Sequence, residues 1–203
     1  MAQKRTRRLK RKAGLADRYP DPRPVLAIDP SLTATGWAVL WGVSNGRVTA
    51  ISGYFDTDDP GLTRYERLRH LWINATWLME GVPATSLLAI EGYAFGARFS
   101  RELQGEVAGV ILAAAMQHRI RHVEYIGIRH WKPWMVPQWH GLSKEHWKNA
   151  GRRGKFKASL PDKQSVRMAL LDRYGLNIRN DNEADAVAIA LATASHWGDD
   201  WSA

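Results

Sequence analysis

The sequence predicts an α/β domain whose central sheet combines a three-strand antiparallel meander with parallel strands. Two observations carry this expectation. Residues 25–56 read as three consecutive strands joined by turn signals, and residues 62–195 alternate between helical and strand periodicity. The first strand is the apolar run Val25-Leu-Ala-Ile-Asp29, bounded by Pro24 and Pro30 as a buried strand would be. Thr35-Gly36 marks a turn or bulge before a second strand at 36–43, and Asn45-Gly46 a turn before a third at about 47–56. From Leu62, the positions Tyr65, Leu68, Leu71, Trp72, Ala75, Leu78, Met79 and Val82 recur at three and four residues. That spacing predicts an amphipathic helix, ended by Gly81 and Pro83. Leu87 to Glu91 follows as a buried strand. Leu103, Val107, Val110, Ile111 and Ala114 mark a second helix, and Val123 to Ile128 a further strand. Residues 129–160, rich in Trp, Pro, Gly and basic side chains, show no period. A third helix is expected from near Asp162 to Tyr174-Gly175. A last one runs from about Glu183 to Ser195, with Ala184, Val187, Ala188 and Leu191 on its buried stripe.

At 203 residues the chain is expected to form one domain, at 23–198, preceded by a basic disordered arm at 1–22 and carrying a basic, Trp-rich insertion at about 134–158. It has no cysteine, which excludes disulfides, thiolate metal sites and cysteine nucleophiles. No apolar run is long enough to span a bilayer, so no membrane partner is expected and the location is read as cytoplasmic. The net charge of +9 is unevenly placed. Lys4, Arg5, Arg7, Arg8, Lys10, Arg11 and Lys12 supply +7 without an intervening acid. Lys144, Lys148, Arg152, Arg153, Lys155 and Lys157, offset by Glu145, supply +5 and leave the remaining chain at −3. Two cationic appendages on a mildly acidic core suit a phosphate backbone, where counterion release drives binding. The same blocks read equally as a solvated tail and a basic loop; if the arm binds a polyanion, deleting residues 1–12 is expected to weaken that binding and flatten its salt dependence, as read by titrations at several salt concentrations.

Three acids sit at the ends of apolar elements far apart in the chain: Asp29, Glu91 and Asp185. A lone Asp before Pro30 fits an ordinary turn, and Asp181 or Asn182 fits a helix N-cap. Together the acids point to a divalent-metal site, because hard cations take oxygen ligands held on rigid elements. Two such ions roughly 4 Å apart can activate water and stabilise the leaving oxygen of a phosphodiester. Asp181 and Asn182 precede Asp185 by about one helical turn and share its face, whereas Glu183 points elsewhere.

These residues also carry a resemblance. Ala27-Ile-Asp-Pro-Ser-Leu-Thr-Ala-Thr-Gly-Trp37 resembles the opening motif of the RuvC-type Holliday-junction resolvases, and Ala89-Ile-Glu91 their second acidic strand. Leu103-Gln-Gly-Glu-Val-Ala-Gly-Val110 and Glu183-Ala-Asp-Ala-Val-Ala-Ile-Ala190 are similar to two of their helices, in the same order from about 25 to 195. The resemblance implies an RNase H-like fold. It also implies a magnesium-dependent homodimeric endonuclease (manganese also serving) that acts on four-way or branched DNA. Asp29, Glu91 and Asp185 would be metal ligands, with Asn182 at the fourth ligand position and Asp181 as its substitute. Asn182 stands where the family has Asp or His, which lowers the charge of the site relative to Asp. Lys132 and Lys163 match the family's phosphate-contacting lysines, and Tyr93 or Phe95 its junction-opening aromatic. The arm and the insertion are additions to the family pattern and mark a divergent or phage-type version. The insertion carries Trp134, Trp139, Trp147 and Phe156, which read equally as a nucleic-acid surface with the neighbouring cations or as a small tryptophan core. Two alternatives keep the fold: a catalytically weak structure-specific DNA binder, or a nuclease for another branched or hybrid substrate. A partner helicase is not legible in the residues.

Overall fold

The computed structural model describes residues 23–44, 47–92, 101–136 and 161–197. Five strands form one sheet: β1 Val25–Asp29, β2 Ala34–Ser44, β3 Arg47–Asp56, β4 Leu87–Gly92 and β5 His122–Gly127, in the order β3-β2-β1-β4-β5. The meander pairs β3, β2 and β1 antiparallel, while β4 and β5 run parallel to β1. This is the mixed sheet expected. The helices are α1 Arg64–Glu80, α2 Arg101–Gln117, α3 Ile128–Met135, α4 Lys163–Tyr174 and α5 Asp181–Trp197.

The two-residue period of the strands sorts the core into two layers. Leu26, Ile28, Val39, Leu88 and Ile90 face α1 and α2, whereas Val25, Ala27, Ala38, Leu40, Leu87 and Ala89 face α3, α4 and α5. A sheet covered on both sides explains why β1 and β4 read as unbroken apolar runs. Residues Ala184 to Ala194 of α5 are buried all round, pressed between the sheet and the two neighbouring helices. Its alternating alanines make that close approach possible. No helix among the described residues is long and apolar enough to cross a membrane.

The structure corrects four local expectations. Strand β2 starts at Ala34, and Thr35-Gly36 lies inside it. The turn falls earlier, where the Thr35 hydroxyl donates to the Ser31 carbonyl at 2.5 Å and accepts from the Ser31 amide at 3.1 Å. The ladder irregularity sits between Leu40 and Gly42 instead. Part of the segment that showed no period is helical: β5 runs straight into α3, which contains Pro133 and buries Trp131, Lys132 and Met135. Its buried positions Trp131, Lys132 and Met135 do fall at helical spacing, but one of them is a lysine and the helix contains Pro133, which hid it in the sequence. Trp134, expected within the insertion, is a residue of α3 packed on the main core with the Arg173 guanidinium 4.9 Å from its ring. Finally, α5 begins two residues early and is capped by Asn180. The Asn180 side chain accepts from the amides of Asn182 at 2.9 Å and Glu183 at 3.1 Å. Neither Asp181 nor Asn182 is the cap.

Candidate metal centre

Strand parity brings the first two acids together. Asp29 continues the 25–27 face of β1 and Glu91 the 87–89 face of β4, so both point toward the α3–α5 layer. Ile28 is registered with Ile90 in the parallel pair, which makes Asp29 and Glu91 lateral neighbours at the strand ends. Asp185, in the first turns of α5 and only 4 % exposed, reaches the same spot from above.

The approach of α5 depends on Gly36. That residue pairs with Asp29 in the ladder and lies on the same face. A Cβ there would stand 1.9 Å from the Asn182 carbonyl oxygen and 2.4 Å from its carbon, so the backbones of β2 and α5 touch. Three side-chain contacts fix the start of the helix around that point. Ser52 of β3 donates to Glu183 at 2.7 Å, Arg167 of α4 pairs with Asp181 at 3.3 Å, and Lys163 donates to the Asn182 side-chain oxygen at 3.2 Å. Glu183 thus points away from the acids, as its helical position implied. Asp181 is engaged with Arg167, and the Asn182 oxygen with Lys163. Of these anchors, Ser52 and Arg167 carried no sequence signal; Gly36 carried one, as part of Thr35-Gly36, but it read as a turn.

The electrostatics of the three acids are those of like charges forced together. Burial, the charge of Glu91 and a hydrogen bond to it push Asp29 well above the ordinary carboxylate range. Glu91 is also raised, chiefly by burial; its hydrogen bond from Asp29 opposes the shift and the charge of Asp185 adds to it. Burial lifts Asp185 to about 6, against the pull of Lys132 and with the push of Asp29. Lys132, itself only 7 % exposed, stands 3.8 Å from Asp185 Oδ2 and 5.0 Å from the Trp131 ring. Lys163 also acts on all three acids, lowering each.

This donor set suits a hard divalent cation. It offers carboxylate oxygens on rigid elements, and Asp185 Oδ1 is buried without a hydrogen-bond partner. Among the described residues no three His, Cys, Asp or Glu side chains close into a cation cage. Burial and mutual repulsion raise all three acids, and Lys132 stands against Asp185. Five sequence-predicted residues, Asp29, Glu91, Asp185, Lys132 and Lys163, therefore meet at one end of the sheet, with Asn182 beside them. Tyr93, Phe95, the arm cations and the insertion residues Lys148, Arg152, Arg153, Lys155 and Lys157 lie outside the described residues.

No protein-family model matches the chain, and no curated protein matches it by sequence. Solved structures do. Thermus thermophilus RuvC in complex with a Holliday-junction substrate superposes with a TM-score of 0.61 at 20% identity, over 85% of this chain and 93% of that one. A second Thermus thermophilus RuvC structure gives 0.58 at 21% identity, over 84% and 93%. The fold is that of RuvC. At this identity the RuvC likeness speaks for architecture: a five-stranded mixed sheet with helices on both faces, matched over nearly the whole length of the RuvC chains.

Proposed function

We propose that this protein is a metal-dependent endonuclease that cuts four-way or branched DNA junctions, as a homodimer able to nick two strands. The observation that carries the reading is the convergence of Asp29, Glu91 and Asp185, from two strand ends and a helix, on a RuvC fold. The architecture alone would not select this chemistry, since one fold hosts many functions. Magnesium or manganese held by these carboxylates would supply an activated water and charge stabilisation at the leaving oxygen. The protein's own contribution is positional. The ladder register holds Asp29 beside Glu91, the Gly36 contact sets the depth of Asp185, and Lys132 restrains the Asp185 carboxylate. Lys163, at the first position of α4, presents an ammonium beside Asn182, where a scissile phosphate can be met. The basic arm and insertion supply affinity for a polyanion, and the reading places the work in the cytoplasm, where such DNA is found.

The Asn182 position supports a second reading, a junction binder with weak or no catalysis. Its amide is neutral and already engaged by Lys163. One experiment separates the two: nicking of a mobile four-way junction in magnesium, wild type beside Asp29→Asn. Paired symmetrical nicks that vanish in the variant establish the nuclease. Tight junction binding with no cutting, in magnesium or manganese, establishes the binder. Faster cutting of forks or RNA–DNA hybrids would reassign the substrate.

A further inference from the structure

We infer that Thr57 and Arg67 are positioning residues for Asp29: they fix the turn that follows the acid, although neither belongs to the acid cluster. The inference deepens the proposed function and rests on it for the chemistry of the Asp29 site. The β1–β2 ladder ends on the pair Asp29–Gly36, so one rung carries both the first acid and the glycine on which α5 rests. A terminal rung frays unless the turn that closes it is held. Residues 30–33 form that turn. From inside the hairpin, the Thr35 hydroxyl bonds the amide and carbonyl of Ser31, and the Ser31 hydroxyl accepts from the amides of Thr33 and Ala34, each at 3.4 Å. From outside, the hold comes from Thr57, the first residue after β3. The β2–β3 ladder pairs Ala34 with Asp56, and Thr57 extends it by one bond, its amide donating to the Thr33 carbonyl at 2.7 Å. The Thr57 hydroxyl donates to the Leu32 carbonyl at 2.5 Å, with the Thr33 carbonyl 3.2 Å away. Thr57 is only 5 % exposed, in a connection whose sequence, Thr57-Asp-Asp-Pro-Gly-Leu-Thr63, reads as an ordinary solvated turn. Both acceptors of this buried hydroxyl lie on the turn that follows Asp29.

Arg67 of α1 is what lets that connection act as an anchor. Its guanidinium donates through Nη1 to the Thr57 carbonyl, through Nη2 to the Asp59 carbonyl at 2.5 Å and through Nε to the Leu62 carbonyl at 3.3 Å. The Asp58 carboxylate stands 3.7 Å from Nη1, and the arginine side chain is largely buried. Three carbonyls of one connection gathered on one planar cation tie residues 57–62 to the helix as a unit, which a lysine, with its single ammonium, would not reproduce. The helix in turn is seated on the sheet by Leu71, Ala75, Leu78 and Met79, and Leu32 of the turn packs against the same layer. Restraint therefore passes from α1 through Arg67 to Thr57, from Thr57 to the carbonyls of Leu32 and Thr33, and from these to the Asp29 rung. Groups that orient a ligand residue without touching the cation tune a metal site strongly.

The test uses the full chain as Thr57→Val, which keeps the shape and removes the hydroxyl, Thr57→Ser, which restores it, Arg67→Lys, and Ile120→Val as control. Ile120 is buried in the same core layer, two residues before the start of β5 and so at the end of the sheet away from the acids. Thr57→Val and Ile120→Val are expected to lower Tm alike, by roughly 3 °C. Amide exchange of a peptide spanning residues 28–37 is followed without metal or DNA. Thr57→Val and Arg67→Lys are expected to speed it by about 5-fold, the equivalent of one lost hydrogen bond, while Thr57→Ser and Ile120→Val stay at the wild-type rate. Manganese affinity, read by calorimetry, is expected to fall by about 10-fold in the first two variants and to hold in the other two. Unchanged exchange of residues 28–37 in Thr57→Val overturns the inference. So does an equal loss of manganese affinity in Ile120→Val, which would reduce the effect to general stability. A protein that binds no manganese and cuts no junction removes the proposed function, and the exchange of residues 28–37 still decides whether Thr57 and Arg67 hold the Asp29 rung.

Discussion

Asp29→Asn and Lys132→Met are expected to depress junction nicking alike and to shift the stability of the metal-free protein in opposite directions. The strand acids and Asp185 are buried close together, and all three are raised above their ordinary values. A raised carboxyl binds its proton more tightly in the folded state. It therefore contributes stability below its unfolded value of 3.8, and that contribution is lost as pH rises through the folded value, about 6 for Asp185. At pH 8 the folded protein holds anions it would rather not hold. Asp29→Asn removes one of them and keeps the shape, so Tm is expected to rise by roughly 3–8 °C at pH 8. The gain should shrink below about pH 4, where the wild-type acids are protonated anyway. Lys132→Met removes the cation 3.8 Å from Asp185 while leaving a side chain of similar length against the Trp131 ring. Tm is expected to fall at pH 8 and to recover as the acids protonate. Nicking should drop by about 10²–10³-fold in Lys132→Met if the lysine restrains Asp185 as argued. Thermal melts from pH 4 to pH 8 decide it: shifts of the same sign, or shifts independent of pH, would show that these residues do not form one electrostatic unit.

How much of this was legible in the sequence follows from the kind of pattern each feature leaves. Strands β1 and β4 announce themselves because both faces are covered, which forces continuous apolar residues and makes a terminal acid conspicuous. Asp29 and Glu91 were found for that reason, and Asp185 because it opens an alanine-rich helix. The family resemblance added Lys132 and Lys163, which no periodicity singles out, and the structure sets both beside the acids. What escaped depends on contacts between elements distant in sequence. Ser52 meets Glu183 across 131 residues, and nothing near Ser52 in the sequence marks it. The α5 cap was misplaced onto Asp181 or Asn182 because Asn180, Asp181 and Asn182 are all residues that cap helices well, and sequence offers no way to choose among them. Thr35-Gly36 was read as a turn since glycine usually signals backbone freedom. Here it signals the absence of a side chain.

That absence yields the sharpest structural expectation. Gly36→Ala should damage both folding and catalysis, although residue 36 contributes no side chain to the acids of the centre. The added methyl would meet the carbonyl oxygen of Asn182 at 1.9 Å and its carbon at 2.4 Å, and both are backbone atoms of α5. No rotamer change relieves such a clash, so the start of the helix must move outward by more than 1 Å or so, costing about 1–3 kcal/mol. Asp185 lies one turn along that helix and moves with it, away from Asp29 and Glu91. A displacement of about 1 Å in a positioned group lowers catalysis by about 10²-fold. Gly53→Ala is the matched control. Its methyl would stand 2.8 Å from the Trp37 ring, a side chain and not the backbone of α5, and β3 does not carry an acid of the centre. Gly53→Ala is therefore expected to keep most of its activity and lose less stability. If Gly36→Ala melts and nicks like wild type, α5 does not rest on β2 at this point, and the depth of Asp185 must be set by the Lys132, Lys163 and Arg167 contacts instead.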